Sequence, residues 1–139
     1  MRCLFIVNPS SGTKTIQKRL DKIIGQMVLQ QIVNHVDVFY TQKKNDAYQQ
    51  CLILNPSDYD FIVSVGGDGT VNEIISGMIE KNLETPLAIL PGGTVNDFAN
   101  HLSLPSTSRQ FIQMLKDFHT MKVDVGKVNN GYFANVIAG

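Results

Sequence analysis

Alternating strand-type and helix-type segments predict an α/β fold, a three-layer arrangement with a parallel sheet covered by helices on both faces and a closing β-hairpin. Three observations carry that expectation. Short apolar runs end in turn residues, and stretches with apolar residues at steps of three and four follow them. Three of the runs end in glycine-bearing turns, which in a parallel sheet would all fall at the carboxyl edge of the strands. The chain has 139 residues, 43% of them hydrophobic, enough for one buried core and unlike a disordered segment.

The elements follow in order. Cys3 to Val7 is a buried-strand run, stopped by Asn8-Pro9-Ser10-Ser11-Gly12. A helix from about Thr15 to Gln31 places Ile16, Leu20, Ile23, Ile24 and Met27 on one face. Val36 to Tyr40 is the second strand, and about Asn45 to Leu54 the second helix. Asp60 to Val65 is the third strand, ending at Gly66-Gly67-Asp68-Gly69. The helix after it, about Thr70 to Glu80, lines up Val71, Ile74, Ile75 and Met78. Pro86 to Leu90 is the fourth strand, broken by Pro91-Gly92-Gly93, and a short helix is expected over Asn96 to His101. Ser108 to Phe118 gives one more helix. Lys122 to Val128, Asn129-Asn130-Gly131 and Tyr132 to Ile137 then read as a hairpin. The apolar run reaches almost to Gly139, so a fragment with an exposed sheet edge near Tyr132 to Ile137 is expected, and chains could pair there.

Charge and cysteine content narrow the function classes. Twelve basic and twelve acidic residues balance, which gives no general attraction to nucleic acid. The distribution is uneven: residues 1–44 hold seven basic residues against two acids, and residues 45–139 hold five against ten. Cys3 and Cys51 stand far apart in apolar surroundings, as reduced core thiols do. His35, His101 and His119 are scattered without metal-ligand spacing. No run approaches the roughly 18 apolar residues of a membrane span, so a cytoplasmic location is expected. Phe39 and Tyr40 read as strand packing, with an adenine contact as the alternative. Lys43 and Lys44 could steer a phosphate or an anionic membrane surface.

The chemistry concentrates in the turns. In Gly66-Gly67-Asp68-Gly69-Thr70-Val71-Asn72-Glu73, adjacent glycines let backbone approach a phosphate, and the helix start offers amide donors. The plainer reading is a tight turn with Thr70 capping the helix. No GK[ST] follows, so this is not a Walker loop, and no GxGxxG is present. Pro91-Gly92-Gly93-Thr94-Val95-Asn96-Asp97 repeats the pattern and sets a second carboxylate, Asp97, on the same edge as Asp68. Two carboxylates beside a phosphate cradle call for Mg²⁺ between them and a nucleotide.

The set NPSSG, GGDGTVNE and PGGTVNDFA, in this order and spacing, resembles the catalytic-domain signature of the diacylglycerol kinase family, which includes sphingosine kinases and bacterial YegS-like lipid kinases. The resemblance implies residues 1–121 as a nucleotide-binding domain and 122–139 as the crossing into a second, β-rich domain that this chain lacks. It implies an ATP-dependent lipid kinase that moves the γ-phosphoryl group to a lipid hydroxyl such as that of diacylglycerol, in phospholipid metabolism. The implied ATP site comprises Asn8, Pro9, Ser10, Ser11, Gly12, Thr41, Gly66, Gly67, Asp68, Gly69, Thr70, Val71, Asn72 and Thr94. Asp68 and Asp97 would be the catalytic residues, Asp68 near the phosphates and Mg²⁺. The general base would be a glutamate of the missing domain, so this chain alone should turn over lipid poorly. Asn100 stands where the family often has arginine. Peripheral membrane contact would follow from a lipid substrate. Two alternatives stay open: a nucleotide-binding regulatory module without catalysis, and a kinase of another GGDG-containing family such as the NAD kinases.

Overall fold

A computed structural model describes residues 1–11, 14–91, 107–124 and 133–138. The strands are β1 (Arg2–Val7), β2 (His35–Tyr40), β3 (Phe61–Gly66), β4 (Leu87–Pro91), β5 (His119–Asp124) and β6 (Phe133–Ala138). The helices are α1 (Lys14–Leu29), α2 (Asp46–Leu52), α3 (Asp68–Glu80) and α4 (Ser108–Asp117), with a 3-10 turn over Pro9–Ser11. One six-stranded sheet runs in the order β2-β1-β3-β4-β6-β5, parallel throughout except for the antiparallel pair β5 and β6.

The apolar periodicities sort the helices into two layers. Leu20, Ile23 and Met27 of α1 and Phe111, Ile112, Met114 and Leu115 of α4 cover one face, against Cys3, Phe5, Val7, Phe61, Val63 and Val65. Ala47 and Cys51 of α2 and Val71, Ile74, Ile75 and Met78 of α3 cover the other, against Leu4, Ile6, Ile62 and Ile89. Strands buried on both sides are nearly all apolar for this reason. Gly77 brings α2 and α3 together: a Cβ there would stand 2.7 Å from Cys51 Cβ and 2.7 Å from the Tyr48 carbonyl oxygen. Both cysteines are free and buried, as expected, and burial pushes each thiol up to about 12.

The hairpin differs from the sequence expectation in two ways. The first strand starts at His119, ahead of the expected Lys122, because α4 stops at Phe118 in a left-handed conformation (φ 50, ψ 47) and the chain reverses at once. That conformation usually takes glycine. Here the Phe118 ring is held edge-on against Phe61 with centroids 5.7 Å apart, and this packing sets the stop. Second, the stretch expected at the sheet edge is interior. β6 pairs with both β4 and β5, and the exposed edge is β5. The sequences fit these places: Ala134, Val136 and Ile137 are buried, whereas His119, Thr120, Lys122 and Asp124 suit an edge strand. The expected basis for chain pairing at Tyr132 to Ile137 therefore falls away.

Candidate functional site

Parallel register brings the functional turns to one edge. Val7 pairs with Tyr40 on one side and Val65 on the other, and Gly66 pairs with Pro91, so β1, β2, β3 and β4 end together. The sheet hydrogen bonding continues one residue past the strands. The Asn8 amide donates to the Val65 carbonyl at 2.9 Å, and the Thr41 amide donates to the Val7 carbonyl at 2.8 Å. Asn8 and Thr41 are thereby fixed side by side. The Asn8 side-chain oxygen also accepts from the Ser10 amide (3.0 Å) and the Ser10 hydroxyl (2.7 Å), the local bonding that shapes an asparagine turn. Ser11 closes the 3-10 turn that follows.

The two glycines after β3 have different jobs. Gly66 is buried, and a Cβ there would meet Thr70 Oγ1 at 2.6 Å, Thr70 Cβ at 3.0 Å and Asn8 Cβ at 3.4 Å. Its lack of a side chain is required by close packing of β3, α3 and the Asn8 turn. Gly67 is extended (φ −94, ψ −166), a conformation open to any residue, and nothing lies within 4 Å of where its Cβ would be. The chain itself does not demand glycine at this position.

The plainer reading of Thr70 as the helix cap does not hold. Gly67 is the N-cap, α3 begins at Asp68, and Thr70 sits buried in the first turn against Gly66. Without a side chain, Gly67 makes no side-chain cap. The first bond within the helix runs from the Val71 amide to the Gly67 carbonyl at 3.3 Å. The amides of Gly69 and Thr70 precede it and have no carbonyl within the helix to bond. An extended glycine, open space and the positive end of a 13-residue helix thus coincide at the strand ends, an arrangement suited to an anionic group.

Beside this turn lies a cleft of ≈ 350 Å³, within the size range of small-molecule sites. Asn8, Pro9 and Ser10 form one wall, and Thr41 with the Gln42–Lys44 loop forms another. Ala47 of α2 and Thr70 and Glu73 of α3 complete it. Asp46 shapes the lysine loop. Its carboxylate accepts from the Gln42 amide at 2.7 Å and the Lys43 amide at 2.9 Å, while Asn45 takes a left-handed φ of 73. Those amide bonds, the one from Gln42 foremost, hold the Asp46 carboxyl below its ordinary value. Lys43 and Lys44 are exposed at the mouth.

The residues just described fall within the span of a known family. The family model for the diacylglycerol kinase catalytic domain matches residues 2–128. The chain belongs to this family. A diacylglycerol kinase of Staphylococcus haemolyticus is 38% identical over 134 residues, covering 96% of this chain and 40% of the relative. One from Staphylococcus epidermidis is 38% identical over 138 residues, covering 99% and 43%. A crystal structure of a diacylglycerol kinase from Bacillus anthracis str. Sterne superimposes with a TM-score of 0.77 at 34% identity, covering 92% of this chain and 44% of that one. The chain therefore spans less than half the length of these relatives.

For this member of the diacylglycerol kinase family, Asn8, Pro9, Ser10, Thr41 and Thr70 gather around the cleft, and Gly66 supports its floor through Thr70 and Asn8. Gly67, Asp68 and Gly69 form the adjoining helix start, with Asp68 half-buried and Gly69 exposed. Val71 is committed to the core: its side chain is fully buried and its amide bonds to Gly67. Asn72 is exposed on α3 outside the cleft lining. Gly12, Thr94 and Asp97 lie outside the described residues, as do the expected Asn96 to His101 helix and Asn100. Phe39 packs against the α2/α3 core, whereas Tyr40 is exposed and donates its hydroxyl to Gln17 of α1 at 2.9 Å. Gln42, Ala47 and Glu73 were not expected in the cleft from sequence. Glu73 was recoverable, because it stands three residues after Thr70 on one helix face.

For Mg²⁺, no group of three or more His, Cys, Asp or Glu comes together among the described residues. The donors present are Asp68 at the helix start and Glu73 in the cleft. This fits an ion held mainly by nucleotide phosphates and water with one or two carboxylates, which is the usual mode for Mg²⁺.

Proposed function

We propose that the chain is the nucleotide-binding part of an ATP-dependent lipid kinase, transferring the γ-phosphoryl group of ATP to the hydroxyl of a diacylglycerol-type lipid. The observation that carries this reading is Gly67, an uncrowded extended glycine at the open start of α3, in a chain of the diacylglycerol kinase family. A phosphate of ATP seats on the Gly67 turn and the first amides of α3. Asn8, Pro9, Ser10 and Thr41 wall the nucleotide, with Ser11, Gly12 and Thr94 assigned to the same job by family resemblance. Lys43 and Lys44 offset part of its negative charge. Asp68 stands nearest the phosphates and would hold Mg²⁺ with them; Asp97 is the second carboxylate of the centre. The bound metal ion supplies neutralisation of charge on the phosphate oxygens.

Positioning is the main demand of phosphoryl transfer. The acceptor oxygen bonds to the γ-phosphorus as the bond to the bridging oxygen breaks, ADP leaves, and the acceptor proton passes to a base. That base belongs to a second, β-rich domain beyond the 122–139 segment, which also holds the lipid. No helix among the described residues is long and apolar enough to cross a membrane. A lipid substrate is met by peripheral contact with the membrane in this reading.

The test is transfer of radiolabelled phosphate from ATP to diacylglycerol in detergent micelles by the full-length gene product. Asp68→Asn should lower kcat by at least about a hundredfold with ATP binding kept within about threefold. Undiminished transfer in Asp68→Asn would remove that assignment. Nucleotide binding without lipid phosphorylation would favour a regulatory module instead.

A further inference from the structure

A second cleft is larger than the one at the strand ends. A groove of ≈ 480 Å³ runs between α1 and α4 on the opposite face of the sheet, and it shares no residue with the cleft at the strand ends. Its rims come from two helical stripes. Lys22 and Gln26 of α1 and Gln30 just past its end recur at steps of four, and Arg109, Gln113 and Lys116 at steps of four and three along α4. Ile23 and Ile112, both buried, form the floor.

Three cations therefore border one concavity, and among the described residues no carboxylate lines it. The neighbouring acids on the same helices are hydrogen-bonded to glutamine side chains: the Asp21 carboxylate accepts from Gln17 Nε2 at 3.1 Å, and the Asp117 carboxylate accepts from Nε2 of the rim residue Gln113 at 3.0 Å. The ion pair of His35 with Asp37 lies on β2, outside the groove lining. In a chain whose formal charge is zero, composition does not force such clustering. Like charges converging on one hollow repel each other, and an anion between them reverses that term.

We propose that the α1/α4 groove is a second anion site that takes a phosphate-bearing group with a small carbon moiety, either a soluble phosphate ester or the headgroup of a phospholipid. The Arg109 guanidinium supplies the planar fork that suits phosphate oxygens, with Lys22 and Lys116 as point charges on the two rims. Gln30 Nε2 donates to Gln26 Oε1 at 2.9 Å and Gln113 Nε2 to Asp117 at 3.0 Å, and each of these amides keeps one further N–H as a neutral donor. The Ile23 and Ile112 floor receives the carbon part, as expected of a pocket that is apolar below and polar at its rim. The site lies apart from the nucleotide, so it stands or falls independently of the kinase reading.

The test is a titration of the ¹⁵N-labelled 139-residue chain with sn-glycerol 3-phosphate at low ionic strength, beside co-sedimentation with phosphatidylglycerol and phosphatidylcholine vesicles. The Ile23, Gln26, Ile112 and Gln113 amides report the groove, and the Gly67 to Thr70 amides report the nucleotide turn. Saturable shifts at the groove amides establish a soluble ester as ligand. They should weaken at least about tenfold in the double variant Arg109→Gln, Lys116→Gln, and also in Lys22→Gln. Binding to phosphatidylglycerol vesicles alone, lost in the same variants, establishes the lipid headgroup. Lys81→Gln, which removes one charge from the far end of α3, should change neither, and circular dichroism checks that every variant is folded. Absence of both responses, or equal weakening by Lys81→Gln, overturns the proposal.

Discussion

The contrast between Gly66 and Gly67 predicts opposite tolerances at adjacent positions. In Gly66→Ala the new Cβ would lie 2.6 Å from Thr70 Oγ1 and 3.0 Å from Thr70 Cβ. Thr70 cannot swing away cheaply: it is 5% exposed, β-branched and in the first turn of α3. The chain must shift, at a cost of about 1–3 kcal/mol for overpacking. Restriction of the unfolded chain returns only about 0.4–1 kcal/mol, so a net loss of about 1–2 kcal/mol is expected. For a domain of this size, that lowers Tm by roughly 3–10 °C. In Gly67→Ala nothing lies within 4 Å of the new Cβ and the backbone is already extended. The unfolded-state gain and the poorer N-cap residue nearly cancel, leaving a change within about 1 kcal/mol. Thermal and urea unfolding followed by circular dichroism measure both variants. If Gly66→Ala melts with the parent, or Gly67→Ala loses as much as Gly66→Ala, the division of roles between the two glycines is wrong.

Three further outcomes follow from the packing and the loop. Gly77→Ala should destabilise by about 1–2 kcal/mol despite alanine's better helix propensity, because the methyl meets Tyr48 backbone and Cys51 Cβ at 2.7 Å; a raised Tm would contradict this. Asp46 titrates below 3.8 in the folded chain, so its hold on the Gln42 and Lys43 amides is complete above that pH and is lost as pH falls through the lower folded value. An amide-shift midpoint for Gln42 at or above 3.8 would contradict the assignment, and Asp46→Asn should abolish the titration. Cys3 and Cys51, with thiols pushed up to about 12, should resist Ellman's reagent at pH 8 until urea exposes both; rapid native labelling would show a more open core.

Much of the fold was legible because its signals are local and periodic. The stripes Leu20-Ile23-Met27 and Val71-Ile74-Ile75-Met78 point inward as their spacing requires, and the first four strands differ from expectation by a single residue at their ends. The misreadings involve partners distant in sequence. Phe118 stops α4 in a left-handed turn because Phe61 lies beneath it, a contact invisible to local propensity. The interior place of β6 depends on which strands flank it, and composition identified the edge only once β5 was known to be its neighbour. At the site, residue type marked the NPSSG and GGDG turns as candidates. The separate duties of Gly66 and Gly67 emerged only from what surrounds each one. Thr70 was misread as a cap because a hydroxyl at a helix start suits capping as well as packing, and only the position of the helix start, at Asp68, separates the two.

The most direct test of the nucleotide cradle is calorimetric titration of the chain and of Gly67→Val with ATP, in the presence and absence of Mg²⁺. The parent should bind with a Kd between about micromolar and millimolar, and Gly67→Val should keep its fold but lose that binding. Equal affinity in the two proteins would show that no phosphate approaches the backbone at Gly67 and would contradict the central claim.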